Sequence, residues 1–190
     1  MEAQKPERWK TDIKRWSKLD LNTAKFYIQE AETRLNETVQ TYNINSTRTY
    51  WLLVVAMSTV STAMGYLFSG GDLYLQATAG FSLSFSLVAI IWLYKNLKSY
   101  DVYTVGEEPK ILFTSKFVDV FEGEKQYLNL IFQTMETIQF KIDNNHITNN
   151  RKMRNNKIAR IAIVFMPLAF VLAIIYQFLI GYRLIWFLPS

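Results

Sequence analysis

Three uncharged apolar runs decide what this 190-residue chain can fold into, because they fix the solvent it is built for. Tyr50–Phe68 is 19 residues long, Leu73–Tyr94 is 22 and Ile161–Ile180 is 20. At 1.5 Å per residue, about 20 helical residues cross the ~30 Å hydrocarbon core of a bilayer. Only Ser69-Gly70-Gly71-Asp72 separates the first two runs, so they predict a transmembrane hairpin with almost nothing exposed beyond its turn. Tyr50, Trp51, Tyr66, Tyr74, Trp92 and Tyr94 stand near the run ends, where amphipathic rings favour the headgroup level. The third run predicts a third span with a kink at Pro167, followed from Gly181 by a short interfacial tail in which Arg183 can snorkel.

The expected fold class is therefore all-α: an integral membrane helical bundle with a transmembrane hairpin, long cytosolic helices and a third span. Four segments follow: N-terminal helices in 1–49, the hairpin in 50–94, a helical region in 95–160, and the third span with its tail in 161–190. Segment 1–49 holds nine Lys/Arg and 95–157 holds ten, whereas the hairpin turn holds none. The positive-inside rule places both basic segments in the cytoplasm. The expected location is the cell inner membrane, multi-pass, with a cytoplasmic N-terminus.

Helical spacing recurs outside the runs. Trp9, Ile13 and Trp16, set among Lys5, Arg8, Lys10, Lys14, Arg15 and Lys18, suit a short amphipathic helix, at a membrane surface or packed on the cytosolic part, and not a secretory signal. Leu19–Gln40 predicts a helix capped by Asp20 or Asn22, with Ala24, Ile28, Ala31, Leu35 and Val39 on one face. Asn43–Thr49 reads as a polar break, and Ile111–Phe113 as a short extended run. From Glu124 a helix is expected to continue into the third span despite Asn144, Asn145, Asn149 and Asn150, which weaken helix propensity. Leu128, Phe132, Met135, Ile138 and Ile142, extended through Asn145 and Asn149, form a seam at three- and four-residue steps. Such a seam fits a homo-oligomer contact or packing on the 19–40 helix of the same subunit.

The chemistry the residues exclude is as definite. The chain has no cysteine and one histidine, His146, so thiol nucleophiles, iron–sulfur clusters and His-rich metal sites have no ligands. Phosphate-loop, dinucleotide, zinc-protease and nucleophile-elbow motifs are missing, and Glu107-Glu108 is a solvated loop pair. No enzyme activity, cofactor or metal is expected.

Two patterns carry the functional expectation. Ser58, Ser61 and Thr62 in the first run, and Gln76, Thr78, Ser82, Ser84 and Ser86 in the second, fall largely at four-residue steps. Stripes of this kind line a hydrated pore or let helices pack closely through hydrogen bonds. The second pattern is Lys141, Arg151, Lys152, Arg154, Lys157 and Arg160, interleaved with asparagines before the third span. With a net charge of +5 it suits an anion, either lipid headgroups of the bilayer or a phosphate-bearing nucleotide or oligonucleotide.

The order of features resembles SLATT domains, the two-transmembrane effectors of bacterial anti-phage systems such as Hailong. The matching plan is a helix over Leu19–Gln40, a tight pair of spans, and a long helix from Glu124, covering about residues 20–155. The third span departs from the two-span plan. The resemblance implies a homo-oligomeric pore former that disrupts the membrane under control of a nucleotide made by a partner nucleotidyltransferase. The alternative is a non-conducting anchor or assembly subunit that docks a soluble partner through its cytosolic helices.

Overall fold

The structure, a computed structural model, describes Trp9 and residues 18–69, 73–98, 100–106 and 123–186. Among these residues the only regular elements longer than a turn are three α-helices: α1 (Leu21–Phe68), α2 (Leu73–Leu97) and α3 (Gly123–Trp186). All three are long and apolar enough to cross a membrane. The Ile111–Phe113 run and nearly all of the N-terminal amphipathic segment lie outside the described residues.

Asp20 starts α1. Its Oδ2 accepts from the backbone N–H of Asn22 at 3.0 Å and of Thr23 at 3.1 Å, which satisfies two otherwise orphaned donors of the first turn. The polar break expected at Asn43–Thr49 does not exist: α1 runs through it without interruption. Asn45 and Thr49 are buried, and Thr49 Oγ1 lies 2.9 Å from the Asn45 carbonyl, the i−4 bond that lets a hydroxyl sit inside a helix. These residues are polar because their neighbours in the bundle are polar. Likewise α3 passes unbroken through its asparagines and through Pro167. It remains helical to Trp186, so the segment from Gly181 begins as helix and not as a separate tail.

The chain divides into two compact units, 1–44 with 100–151 and 45–99 with 152–190. The division cuts across the four expected segments because α1 and α3 each contribute to both units.

In the first unit α1 and α3 run parallel, since Ala24 packs with Leu128 and Ile131 while Thr38, further along α1, meets Asn145 and Asn149, further along α3. Ala24 packs with Leu128 and Ile131, flanked by Leu19, Leu21, Ile28 and Met135. Leu35 is fully buried further along α1, and Ile138 is buried on α3. Within the chain, then, the α3 seam is occupied by intrachain packing. Leu128, Ile138, Asn145 and Asn149 of the expected seam are buried, and one position differs: Ile131 is buried, while Phe132 is half-buried and lines a groove beside it. A strict three-four repeat from Leu128 passes through 131 and 135, which is the spacing that keeps a stripe facing one neighbouring helix.

In the second unit α1 and α3 are again parallel, and α2 runs antiparallel to them. Ser86 meets Met166 while Asn96 meets Asn156, so one helix ascends as the other descends. The core is built from small residues, Ala56, Ala89, Ala159 and Ala162, with Leu93 and Met166. Large apolar side chains face outward instead, among them Val54, Phe81, Ile91, Val164, Phe165 and Leu168. In water each would forgo about 1.5–3 kcal/mol of burial. Only 11% of the apolar window of α1 is buried. Small residues inside and large ones outside is the arrangement in which lipid replaces water around the helices.

Candidate functional site

At one level of the second unit the three helices are joined by buried amides. Asn45 and Thr49 come from α1, Asn96 from α2, and Lys152, Asn155 and Asn156 from α3. Asn96 stands at the centre. Its Nδ2 donates to Asn156 Oδ1 at 2.8 Å and to the Lys152 carbonyl at 3.1 Å, and its Oδ1 accepts from Asn155 Nδ2 at 2.7 Å. Asn156 Nδ2 donates to the Asn45 carbonyl at 3.0 Å. Thr49 Oγ1 lies 2.9 Å from both Asn156 Oδ1 and the Asn45 carbonyl, so its one proton can serve either. Lys152 donates to Ser46 Oγ at 2.8 Å. Amides suit this place because each offers two donors and an acceptor without a charge to desolvate.

Exposed cations stand next to these buried residues along the chain. Arg48 precedes Thr49, Lys95 precedes Asn96, Arg154 precedes Asn155 and Lys157 follows Asn156, and all four are exposed. Lys98 and Arg160 are exposed one turn from the same layer. Lys95 Nζ lies 4.0 Å from the centroid of the Trp92 ring, which holds the ammonium against the aromatic belt.

The six cations grouped by sequence are divided between the two units. Lys141 and Arg151 belong to the first unit, and the other four to the second. Lys141 donates to the carbonyls of Thr104 at 3.2 Å and Gly106 at 2.7 Å, while Arg151 lies over the Tyr100 ring at 5.4 Å. Both thus hold the 100–106 segment to α3. Asn145 completes that attachment: its Oδ1 accepts from Tyr103 N–H at 3.0 Å and its Nδ2 donates to the Tyr103 carbonyl at 2.9 Å. Gly106, with φ of +96°, supplies the left-handed turn at the end of the segment. Lys152 is buried, which leaves Arg154, Lys157 and Arg160 as the outward-facing members of the set.

The hydroxyl stripes divide in the same way. Thr78, Ser82 and Ser86 are buried inside the second unit, and Ser86 Oγ lies 3.5 Å from Met166 Sδ. Ser58, Ser61 and Thr62 on α1 and Ser84 on α2 are exposed, with Gln76 half-buried. The exposed hydroxyls are satisfied by their own helices, each donating to the carbonyl four residues back at 2.9–3.1 Å. Gly65 continues the α1 strip, with nothing within 4 Å of where a Cβ would stand. Two buried polar atoms have no partner among the described residues, Ser82 Oγ and Asn149 Oδ1.

Asn96 is the residue that reading the sequence missed. The signal was present: it continues the buried steps Ser82, Ser86, Ala89 and Leu93, and an amide in that position needs polar partners from other helices.

The architecture defines a class, an all-helical bundle whose helices are dimensioned for a bilayer. Comparison with protein-family models, curated proteins and solved structures finds no match for this chain.

Proposed function

We propose that this chain is a pore-forming membrane effector that acts as a homo-oligomer in the cell inner membrane, with its N-terminus in the cytoplasm, and that it disrupts the membrane in anti-phage defence. The observation that carries the pore is the outward-facing strip of Ser58, Ser61, Thr62 and Gly65 on α1, in a helix otherwise faced with large apolar side chains. The buried hydroxyls of α2 are spent within one subunit, so a pore forms between copies and the α1 strip lines it. Each hydroxyl keeps its helix bond and still presents a lone pair to water, which suits a wide, weakly selective path. The defence role rests on the resemblance to SLATT effectors. Control by a nucleotide from a partner nucleotidyltransferase would act through Arg154, Lys157 and Arg160.

The test is ion flux from liposomes containing the purified protein, with and without cyclic nucleotides and short oligonucleotides. The triple substitution Ser58→Leu, Ser61→Leu and Thr62→Leu should abolish flux while leaving thermal stability unchanged, because the three sites are exposed. Flux in the triple variant equal to the parent's would move the pore elsewhere. An absence of flux from folded, inserted protein under every condition would favour the anchor reading. That second reading draws on the apolar groove of the first unit, lined by Trp9, Leu19, Tyr27, Phe132 and Met135, as a surface for a soluble partner.

A further inference from the structure

The exposed cations of the second unit are more than the three on α3. The amide layer fixes Thr49, Asn96, Asn155 and Asn156 at one level by direct hydrogen bonds. Chain neighbours of those residues share the level, so Arg48, Lys95, Lys98, Arg154, Lys157 and Arg160 stand round the bundle from all three helices. The same level is where each apolar run meets polar sequence: Tyr50 and Trp51 begin the first, Tyr94 ends the second, and Ile161 begins the third. The two segments of this unit, 45–99 and 152–190, contain a single carboxylate, Asp72, in the hairpin turn at the opposite end of the first two runs. Within these two segments the cations of the girdle thus outnumber the acids six to one.

We infer that this girdle binds the phosphates of anionic phospholipids in the cytoplasmic leaflet, and that the buried amide layer is the spacer that holds its cations at headgroup depth. The distribution of charge selects this occupant. A nucleotide concentrates its phosphates at one point and would be gripped by convergent side chains, whereas these six diverge from three helices around a circumference. A leaflet offers many phosphates in one plane, which is the complement of a ring. Lys95 against Trp92 places a cation beside an aromatic ring, the pairing expected where headgroups meet hydrocarbon. Each cation near an anionic surface shifts partitioning by about five-fold. The girdle stands whether or not the protein conducts, so the inference does not depend on the pore.

The experiment follows the thermal stability and the co-bound lipid of the full chain in neutral detergent, by melting and by native mass spectrometry. Phosphatidylglycerol, phosphatidylcholine, inorganic phosphate and a cyclic dinucleotide are added in separate arms. Phosphatidylglycerol should raise the melting temperature and remain bound several-fold more than phosphatidylcholine, and the difference should shrink at high salt. Two triple variants, Arg48→Gln/Lys95→Gln/Lys98→Gln and Arg154→Gln/Lys157→Gln/Arg160→Gln, should each lose a large part of that preference. The charge-matched control Lys25→Gln/Arg34→Gln/Lys125→Gln, in the first unit, should retain it. Loss in the α3 variant alone would reduce the girdle to a local patch and overturn the inference. Equal binding of both lipids by the parent, or stabilisation by the cyclic dinucleotide and not by lipid, would overturn it as well. Should a triple variant fail to fold, the salt dependence and the lipid comparison on the parent still decide the matter.

Discussion

Replacing Asn96 with alanine tests whether the amide layer holds the three helices together. The side chain makes three short bonds, two as donor and one as acceptor, to groups from α3. Not all of them are lost equally. Asn156 Oδ1 still has Thr49 Oγ1 at 2.9 Å, and the Lys152 carbonyl lies inside α3 where it can accept from the helix. Asn155 Nδ2, however, loses the acceptor at 2.7 Å. A buried donor stranded in this way costs about 1–3 kcal/mol, and the two lesser losses at about 0.6 kcal/mol each, the mean for such bonds between membrane helices, bring the expected destabilisation to roughly 2–4 kcal/mol. Asn155→Ala strands the other end of the same bond and should cost a similar amount. Combining the two removes both polar ends, so the double variant should be less destabilised than the sum by about 1 kcal/mol or more. Reversible unfolding in mixed micelles, followed by circular dichroism, measures all three. Strict additivity, or an Asn96→Ala variant as stable as the parent, would refute the claim that the layer joins α2 to α3.

Other expected outcomes separate packing from exposed surface. Ser82→Leu and Ser86→Leu enlarge fully buried sites and should each cost about 1–3 kcal/mol by overpacking. Loss of flux in those variants would therefore accompany a lower melting temperature, unlike that of the exposed α1 triple. Leu35→Ala opens a cavity at a fully buried site of the first unit and should cost about 2–5 kcal/mol, read from the same unfolding experiment. Asn145→Ala removes both bonds to Tyr103, so amide hydrogens of residues 100–106 should exchange faster while those of the second unit keep their rates. Unchanged exchange at Tyr103 would show that Lys141 and Arg151 suffice to hold the segment.

Much of this architecture was legible because the apolar runs and the three-four repeats are set by single residues and their spacing. The lengths of the runs, the cap at Asp20 and the continuity of α3 from its seam all follow from the order of residues along one helix. The misreadings share a different cause. Asn43–Thr49 reads as a break when it is taken alone, since buried polarity is affordable only once partners are known, and those partners, Asn96 and Asn156, lie far along the chain. The basic patch before the third run is one cluster in sequence, while its members are divided between the two units. Which of its cations are occupied depends on the 100–106 segment, whose carbonyls take Lys141, and on Ser46, which takes Lys152.

The placement of the polar layer follows from the same balance of costs. Deep in hydrocarbon an unpaired amide is expensive, and the interior of the second unit uses Ala56, Ala89 and Ala162 with the Thr78 and Ser86 hydroxyls bonded to their own helix, Ser82 being the exception. In water, amides gain little specificity because the solvent competes for every bond. In the headgroup placement we infer, the amides at the level between are shielded on the inside of the bundle while the adjoining cations reach headgroups on the outside. There a hydrogen-bonded layer costs least and specifies most, because a slip of any helix by one turn would strand several buried donors and draw charged side chains into the hydrocarbon. A single stratum of sequence thus sets the register of the three helices and, on that inference, the depth at which the unit sits in a bilayer, which is why Asn96 and Lys95 should respond to different measurements although they are neighbours in the chain.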